Sequence, residues 1–354
     1  MKKNILVVDD SALMRRVICD IINTDSIFQA KDVCRDGLEA YEKLKTTKYD
    51  AVVLDVNMPR MDGLELLEKL QQEHISATVI MVSTTTTAEA EVTMLAMERG
   101  AVDFVAKPYN IIEAKGEEFK RKLLGVLTAV LKTGNADRFF TTEKPAVKKI
   151  AKPVISSAGR KGSKLVALAC STGGPKALQS VIPYLSKNMD APMVLVQHMP
   201  KGFTKSMADR LNEISEISVK EAEEGDILKK GWVYIAPGGK HMEVVKTPDG
   251  GHKIHLNEAP AIGGLRPCAN ITYESLRTSG FDKIVCVVLT GMGADGTQGI
   301  LSLQKSKPIH VIAQNAQTCV VYGMPKSIAD AGVVDEVVPL TEIAPTIIKN
   351  VGVR

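Results

Sequence analysis

The chain has 354 residues, 45% of them hydrophobic and 24% charged, with 45 Lys and Arg against 41 Asp and Glu for a net charge of +4. Those values belong to an ordinary globular protein of about two domains. The basic excess sits in one place: Lys132 to Lys164 holds nine Lys and Arg and two Asp and Glu, so neither flanking part has a nucleic-acid footprint.

The N-terminal apolar run, Ile5 to Val8, is too short for a signal-peptide core, and no run of about 18 apolar residues follows. The chain is therefore expected to be cytoplasmic and not membrane-spanning. Six dispersed cysteines (Cys19, Cys34, Cys170, Cys268, Cys286, Cys319) read as buried small hydrophobes, not as disulfides or zinc ligands.

Along the first part, apolar strands at Ile5–Val8, Asp32–Arg35, Ala51–Leu54, Val79–Val82 and Val102–Val105 alternate with helical patterns near 11–23, 37–46, 63–72, 88–98 and 112–131. Continuous Val and Ile strands separated by helices predict an α/β domain, a doubly wound parallel sheet over residues 1–131. Residues 132–163 carry Pro, Gly and basic residues without apolar periodicity and read as a flexible, basic linker.

From Lys164 a second series begins: strand Leu165–Ala169, helix 175–185, strand Met193–Gln197, helix 203–213 and strand Trp232–Ala236. His241–Val245 and Lys253–Leu256 read as a β-hairpin around Pro248-Asp249-Gly250-Gly251. The β/α pattern then returns with helix 268–278, strand Ile284–Leu289, helix 295–304, strand Ile309–Ala313 and helices near 325–331 and 341–350. Residues 164–354 thus predict a second doubly wound parallel-sheet domain with a β-hairpin insertion. In such sheets ligands gather beyond the carboxyl ends of the strands, which directs the search for chemistry.

At that edge of the first sheet lie Asp9, Asp10, Asp55 and Lys107. Converging carboxylates repel unless a hard cation is bound, and Mg²⁺ suits oxygen ligands. Lys107 and the hydroxyl of Ser83 can meet phosphoryl oxygens, which makes Asp55 a candidate carboxylate nucleophile toward a phosphoryl donor. Singly, Asp9 or Asp10 is as readily a cap for the helix starting at Ser11, and Thr84 stays open beside Ser83.

At the edge of the second sheet Ser171 follows a strand and precedes Gly173-Gly174-Pro175, which opens a helix. Alone, this turn is more often a helix cap or phosphate loop than a nucleophile; Ala169 also replaces the first glycine of the usual elbow. His198, after the next strand, and Asp295, in the loop Leu289 to Gly296, complete a Ser, His and Asp set at three strand ends. In that set His198 is the general base and Asp295 its orienter. Cys170 is discounted as a nucleophile because its turn neighbour Ser171 has the Gly-rich register.

The pieces Val7-Val8-Asp9-Asp10-Ser11, Leu54 to Gly63 and Ala106-Lys107-Pro108 resemble the response-regulator receiver family over roughly residues 1–125. The resemblance implies a flavodoxin-like receiver phosphorylated on Asp55, with Mg²⁺ held by Asp10, Asp55 and the Asn57 carbonyl, and with Ser83 and Lys107 sensing the phosphoryl group. Ser171 to Pro175, Val196 to Pro200, Tyr234 to Met242, Thr290 to Gly296 and Ala313-Gln314 to Pro325 resemble the chemotaxis protein-glutamate methylesterases.

That second resemblance implies a Rossmann-like methylesterase domain without its own cofactor. It also implies the Ser171–His198–Asp295 triad and oxyanion donors in the backbone N–H groups of Thr172 and Met292. The implied activity is demethylation of glutamate methyl esters, and deamidation of selected glutamines, on methyl-accepting chemoreceptors. The phosphodonor is the chemotaxis histidine kinase, and the protein is expected to act as a monomer, without nucleic acid. Departures fall at Ala169-Cys170 and in Gly264 to Asn270, which match the family pattern only in part. Two rivals remain: a receiver fused to a DNA-binding output domain, which needs a basic recognition helix absent from residues 164–354, and a catalytically silent receptor adaptor.

Overall fold

The computed structural model describes residues 2–108, 111–114, 116–132 and 162–354. The chain divides into two units, Met1–Thr142 and Glu143–Arg354. Except at its ends, the linker expected over 132–163 lies outside the described residues.

The apolar runs of the first unit become β1 (Lys3–Val8), β2 (Phe28–Cys34), β3 (Ala51–Asp55), β4 (Val79–Ser83) and β5 (Asp103–Ala106). They pair in parallel in the order β2-β1-β3-β4-β5. Ile5–Val8, Ala51–Leu54 and Val79–Val82 are almost wholly buried, which is why these strands lack polar alternation. β2 is an edge strand with alternating exposure. Its polar Gln29, Lys31 and Asp32 disguise its first half, and it begins earlier than Asp32.

The helices are α1 (Ala12–Thr24), α2 (Gly37–Thr46), α3 (Gly63–Gln72), α4 (Thr87–Glu98), α5 (Ile111–Ala114) and α6 (Glu117–Lys132). Ser11 caps α1, and α3 opens on a reciprocal capping box between Asp62 and Glu65. The single helix expected over 112–131 arrives as two pieces, α5 and α6. Because β1 lies between β2 and β3, the chain reverses its winding there, and the crevice above β1 and β3 is a topological switch point.

The second unit repeats this logic on a larger sheet. β6 (Lys164–Cys170), β7 (Met193–Gln197), β8 (Ser218–Glu221), β9 (Trp232–Ile235), β12 (Lys283–Val288), β13 (Ile309–Gln314) and β14 (Glu336–Val338) run parallel in the order β14-β13-β12-β6-β7-β9-β8. β10 (His241–Lys246) and β11 (His252–Asn257) form the separate antiparallel hairpin. The helices are α7 (Gly174–Gln179), α8 (Phe203–Glu213), α9 (Ala269–Ser275), α10 (Thr297–Leu303), α11 (Met324–Asp330) and α12 (Leu340–Val351). Both units are therefore doubly wound parallel-sheet α/β folds.

Two expected helices are shorter than their patterns. The one over 175–185 stops at Gln179, and Pro183 sits in a separate 3-10 turn, Ile182–Tyr184. The one over 268–278 ends at Ser275 and continues as a 3-10 turn. α9 is pinned to the sheet by buried Tyr273, whose hydroxyl donates to the Ala167 carbonyl at 3.2 Å. No helix of the described residues is long and apolar enough to cross a membrane.

Candidate active site and phospho-acceptor pocket

At the switch point of the first sheet, Asp9 and Asp55 are buried and Asp10 is exposed. Their ligand oxygens lie within 4.8 Å of one another. Lys107 Nζ stands 2.9 Å from Asp9 Oδ2 and 2.6 Å from Asp55 Oδ2. One ammonium thus faces two buried carboxylates. Burial and the charge of Asp9 push the Asp55 carboxyl up to about 6, against the pull of Lys107. Burial draws the Lys107 ammonium down, but Asp55 and Asp9 outweigh it and its pKa is raised.

The alternative in which Asp9 or Asp10 caps the first helix is not realised. Asp9 Oδ1 accepts the Ser11 N–H at 2.9 Å, while the cap of α1 is Ser11 itself. Ser83 is buried and its hydroxyl accepts from Thr93 Oγ1 at 2.8 Å. The neighbouring Thr84 N–H donates to Glu89 Oε2 at 2.7 Å, and Asn57 Nδ2 donates to Glu89 Oε1 at 2.9 Å. Glu89 therefore bridges the loops after β3 and β4, a connection with no local sequence signal.

In the second unit Ser171, His198 and Asp295 come from the loops after β6, β7 and β12, three adjacent strands. β6 lies between β7 and β12, so Ser171 stands at the point where winding reverses. The Ser171 N–H donates to the Thr290 carbonyl (3.0 Å), and the His198 N–H to the Cys170 carbonyl (3.3 Å). These backbone bonds extend the sheet ladder one step past the strand ends and lock the three loops in register. His198 Nε2 lies 2.7 Å from Asp295 Oδ2.

Asp295 is held more tightly than a triad role alone requires. Its carboxylate accepts N–H groups from Ala269, Asn270 and Gly296, and Cys268 Sγ lies 3.2 Å from Oδ1. Cys268, at the N-cap of α9, makes no side-chain cap bond. Asp295 supplies that cap from across the fold, satisfying N–H groups of the first turn. Burial raises its pKa, yet the His198 hydrogen bond and charge and these N–H donors win, leaving it lowered to about 2.

Thr172 is buried and Met292 half-exposed. Among the described residues no protein acceptor takes the N–H of either. Thr290 Oγ1 donates to the Thr172 carbonyl at 2.9 Å and accepts from the Val321 N–H at 2.9 Å, and the Thr290 N–H donates to Gln314 Oε1 at 2.8 Å. This buried chain braces the turn after β6 against the loop after β12. Cys170 is fully buried, and burial alone pushes its thiol far up, so it offers no thiolate beside Ser171. The six cysteines are free thiols, all buried but Cys19.

Sequence reasoning missed Gln197, Cys268, Asn270, Thr290 and Gln314. Polar residues in an otherwise apolar strand end, as in Val196-Gln197 and Ala313-Gln314, were the available signal for two of them.

Fold and site define a class: a hydrolase built on a doubly wound sheet, carried behind a receiver. A family model described as CheB methylesterase matches residues 166–347, and one described as response regulator receiver domain matches residues 5–115. The chain is 42% identical over 348 residues to a protein-glutamate methylesterase/protein-glutamine glutaminase of Geobacillus kaustophilus, covering 98% of both chains. It is 41% identical over 351 residues to the protein of that name from Pyrococcus abyssi, covering 99% of this chain and 94% of that one. The solved Thermotoga maritima CheB methylesterase catalytic domain matches with a TM-score of 0.52 at 44% identity, covering 54% of this chain and 100% of that chain. This chain belongs to the CheB methylesterase family and carries a response-regulator receiver domain.

Proposed function

We propose that the chain is a phosphorylation-activated protein-glutamate methylesterase and protein-glutamine glutaminase acting on chemoreceptors, giving adaptation in chemotaxis. The observation that carries the reading is the buried 2.7 Å contact between His198 Nε2 and Asp295 Oδ2, set one strand away from Ser171. With Nε2 engaged by Asp295, Nδ1 of His198 is the nitrogen left to take the Ser171 proton. Ser171 Oγ attacks the γ-ester carbonyl, and the oxyanion is met by the N–H groups of Thr172 and Met292. Methanol leaves with the proton from His198, and water, deprotonated in turn by His198, releases the glutamate carboxylate. A glutamine side chain follows the same path and loses ammonia.

In this reading residues 1–131 are the receiver, 132–163 the tether and 164–354 the catalytic domain. Asp55 takes the phosphoryl group from the chemotaxis histidine kinase, with Lys107 and Ser83 engaging its oxygens. The donor set fits a small divalent cation: three carboxylates offer oxygens within 4.8 Å of one another, two of them buried against a single ammonium. Mg²⁺ would be held by Asp10, Asp55 and the Asn57 carbonyl, and supplies charge neutralisation during phosphoryl transfer.

The test is methanol release from membranes bearing methylated receptor, with and without a small-molecule phosphodonor. Ser171→Ala is expected to abolish release while the receiver still accepts phosphate. Asp55→Asn is expected to keep the basal rate and lose the stimulation. Retained release by Ser171→Ala, or stimulation of Asp55→Asn by the phosphodonor, would sink the corresponding half of the reading.

A further inference from the structure

Gln197 ends β7 and its side chain is almost completely buried, at 2% exposure. It touches no solvent-facing surface, yet it links two residues of the candidate active site. Its Nε2 donates to the Ser171 carbonyl at 3.0 Å and to the His198 carbonyl at 3.3 Å. Its Oε1 is buried without a hydrogen-bond partner. The amide orientation has one solution, because the flipped form would turn an oxygen toward two carbonyl oxygens.

The amide packs against Gly174, the first residue of α7. A Cβ built on Gly174 would overlap Gln197 Oε1 and sit 2.9 Å from Cδ. The absence of a side chain at Gly174 is therefore a condition of Gln197 being where it is. An orphaned buried acceptor is costly, and an apolar side chain of similar length would fill the space without one. Packing alone does not account for an amide here; its two donated hydrogen bonds do.

The Ser171 carbonyl shares one planar trans peptide with the Thr172 N–H, and the two point in opposite directions. Whatever fixes that carbonyl fixes the N–H. The carbonyl accepts from Gln197 Nε2 and also from the Gly174 N–H at 2.7 Å, so both of its lone pairs are occupied and the peptide plane cannot rock.

We propose that Gln197 is a positioning residue of the esterase site: its amide aims the Thr172 N–H at the developing oxyanion and ties the His198 backbone to the same point. The inference rests on the reading of Ser171 as nucleophile and Thr172 as oxyanion donor, and deepens it. Gln197 does not meet the substrate. It acts through the peptide that does, so its removal lowers the turnover of bound ester and leaves ester binding nearly unchanged.

The experiment uses the full-length protein with phosphodonor and methylated receptor membranes, following methanol release. Gln197→Met, which keeps the length and removes the orphaned oxygen, is expected to lower kcat about 10- to 100-fold. Its KM should stay within about twofold of wild type. Gln197→Glu places a carboxylate against two carbonyls. As the pH drops and that group gains an O–H, its kcat relative to wild type is expected to recover. A Gln197→Met kcat within about twofold of wild type overturns the assignment. So does a Gln197→Glu to wild-type ratio that is flat with pH, which decides the matter even should Gln197→Met not fold. Ser171→Ala runs alongside: release by that variant sinks the nucleophile reading, whereas a silent Ser171→Ala with an unimpaired Gln197→Met sinks only the role of Gln197.

Discussion

Asp295 Oδ2 lies 2.7 Å from His198 Nε2 and at the same time accepts the Ala269 N–H at 2.6 Å. The carboxylate that orients the imidazole is thus also the cap of α9. Asn270 and Gly296 complete its shell through Oδ1, at 3.0 and 2.9 Å. Such a group cannot swing, so the imidazole it holds has one orientation and one tautomer, with the proton on Nε2.

Asp295→Asn should therefore be far more damaging to turnover than to binding. An amide can accept on one side only: with its oxygen toward Asn270 and Gly296 it turns a donor on His198 and the Ala269 N–H, and with its oxygen toward His198 and Ala269 it turns a donor on Asn270 and Gly296. Either way it loses the charge that stabilises the imidazolium. The expected loss in kcat is about 10³- to 10⁴-fold, by analogy with the triad template, with phosphorylation of the receiver unaffected. Methanol release by a variant shown to accept phosphate checks this. More than about a tenth of wild-type activity would contradict it.

The same shell predicts an acid-stability term. The Asp295 carboxyl is lowered from 3.8 to about 2, so the folded state binds its proton less readily than the unfolded chain. Stability from this group is fully present above about pH 4 and is lost as the pH falls from about 4 through about 2, amounting to about 2 kcal/mol. Denaturant midpoints of the wild type should drop over that interval, and the drop should be smaller in Asp295→Asn, which cannot titrate. Equal drops would place the acid sensitivity elsewhere.

The positions of Ser171, His198 and Asp295 at neighbouring strand ends were legible because β6, β7 and β12 are uninterrupted apolar runs, and a parallel sheet puts the ends of such runs on one edge. What holds those residues was not legible. The cap that Asp295 gives α9 joins positions 26 residues apart, and nothing in Pro267-Cys268-Ala269-Asn270 announces an acceptor that comes from another loop. Edge strands β8 and β14 also escaped notice. They are four and three residues long, each pairs on one side only, and half-exposed residues carry no continuous apolar signal. In the receiver, Asp9, Asp55 and Lys107 were readable for the same strand-end reason. The Asn57–Glu89 link was hidden because it joins a loop to a helix across the sheet edge.

The receiver pocket sets two buried carboxylates against one ammonium, and that imbalance is measurable. Asp55→Asn removes one of the opposed charges without changing shape, so it should raise the melting midpoint of the receiver transition in metal-free buffer. Mg²⁺ should raise the wild-type midpoint in a concentration-dependent way, by mass action on the folded state, and should do so much less for Asp55→Asn. Lys107→Met leaves Asp9 and Asp55 facing each other uncompensated and should cost about 3–5 kcal/mol, part of it recovered by Mg²⁺. Calorimetry of the three proteins with and without the metal checks the ordering. A destabilised Asp55→Asn would mean that Lys107 stabilises the folded receiver more than the paired carboxylates oppose it.

Gly291 tests how closely the loop after β12 approaches the nucleophile. A Cβ at this position would strike Met324 Sδ and come within 2.8 Å of Ser171 Cβ and 3.1 Å of its backbone nitrogen. Met324 can yield, since a thioether on a flexible chain repacks at small cost. Ser171 cannot, because its N–H is bonded to the Thr290 carbonyl and its own carbonyl is held by Gly174 and Gln197. Gly291→Ala should thus cost about 1–3 kcal/mol of stability, as overpacking does. In the proposed mechanism it should also move the nucleophile Ser171 relative to its base His198 and the oxyanion N–H groups, lowering kcat at least tenfold. Thermal unfolding of the catalytic unit measured beside methanol release separates the two effects. A variant that melts lower but turns over normally would show that the loop, not the nucleophile, gives way.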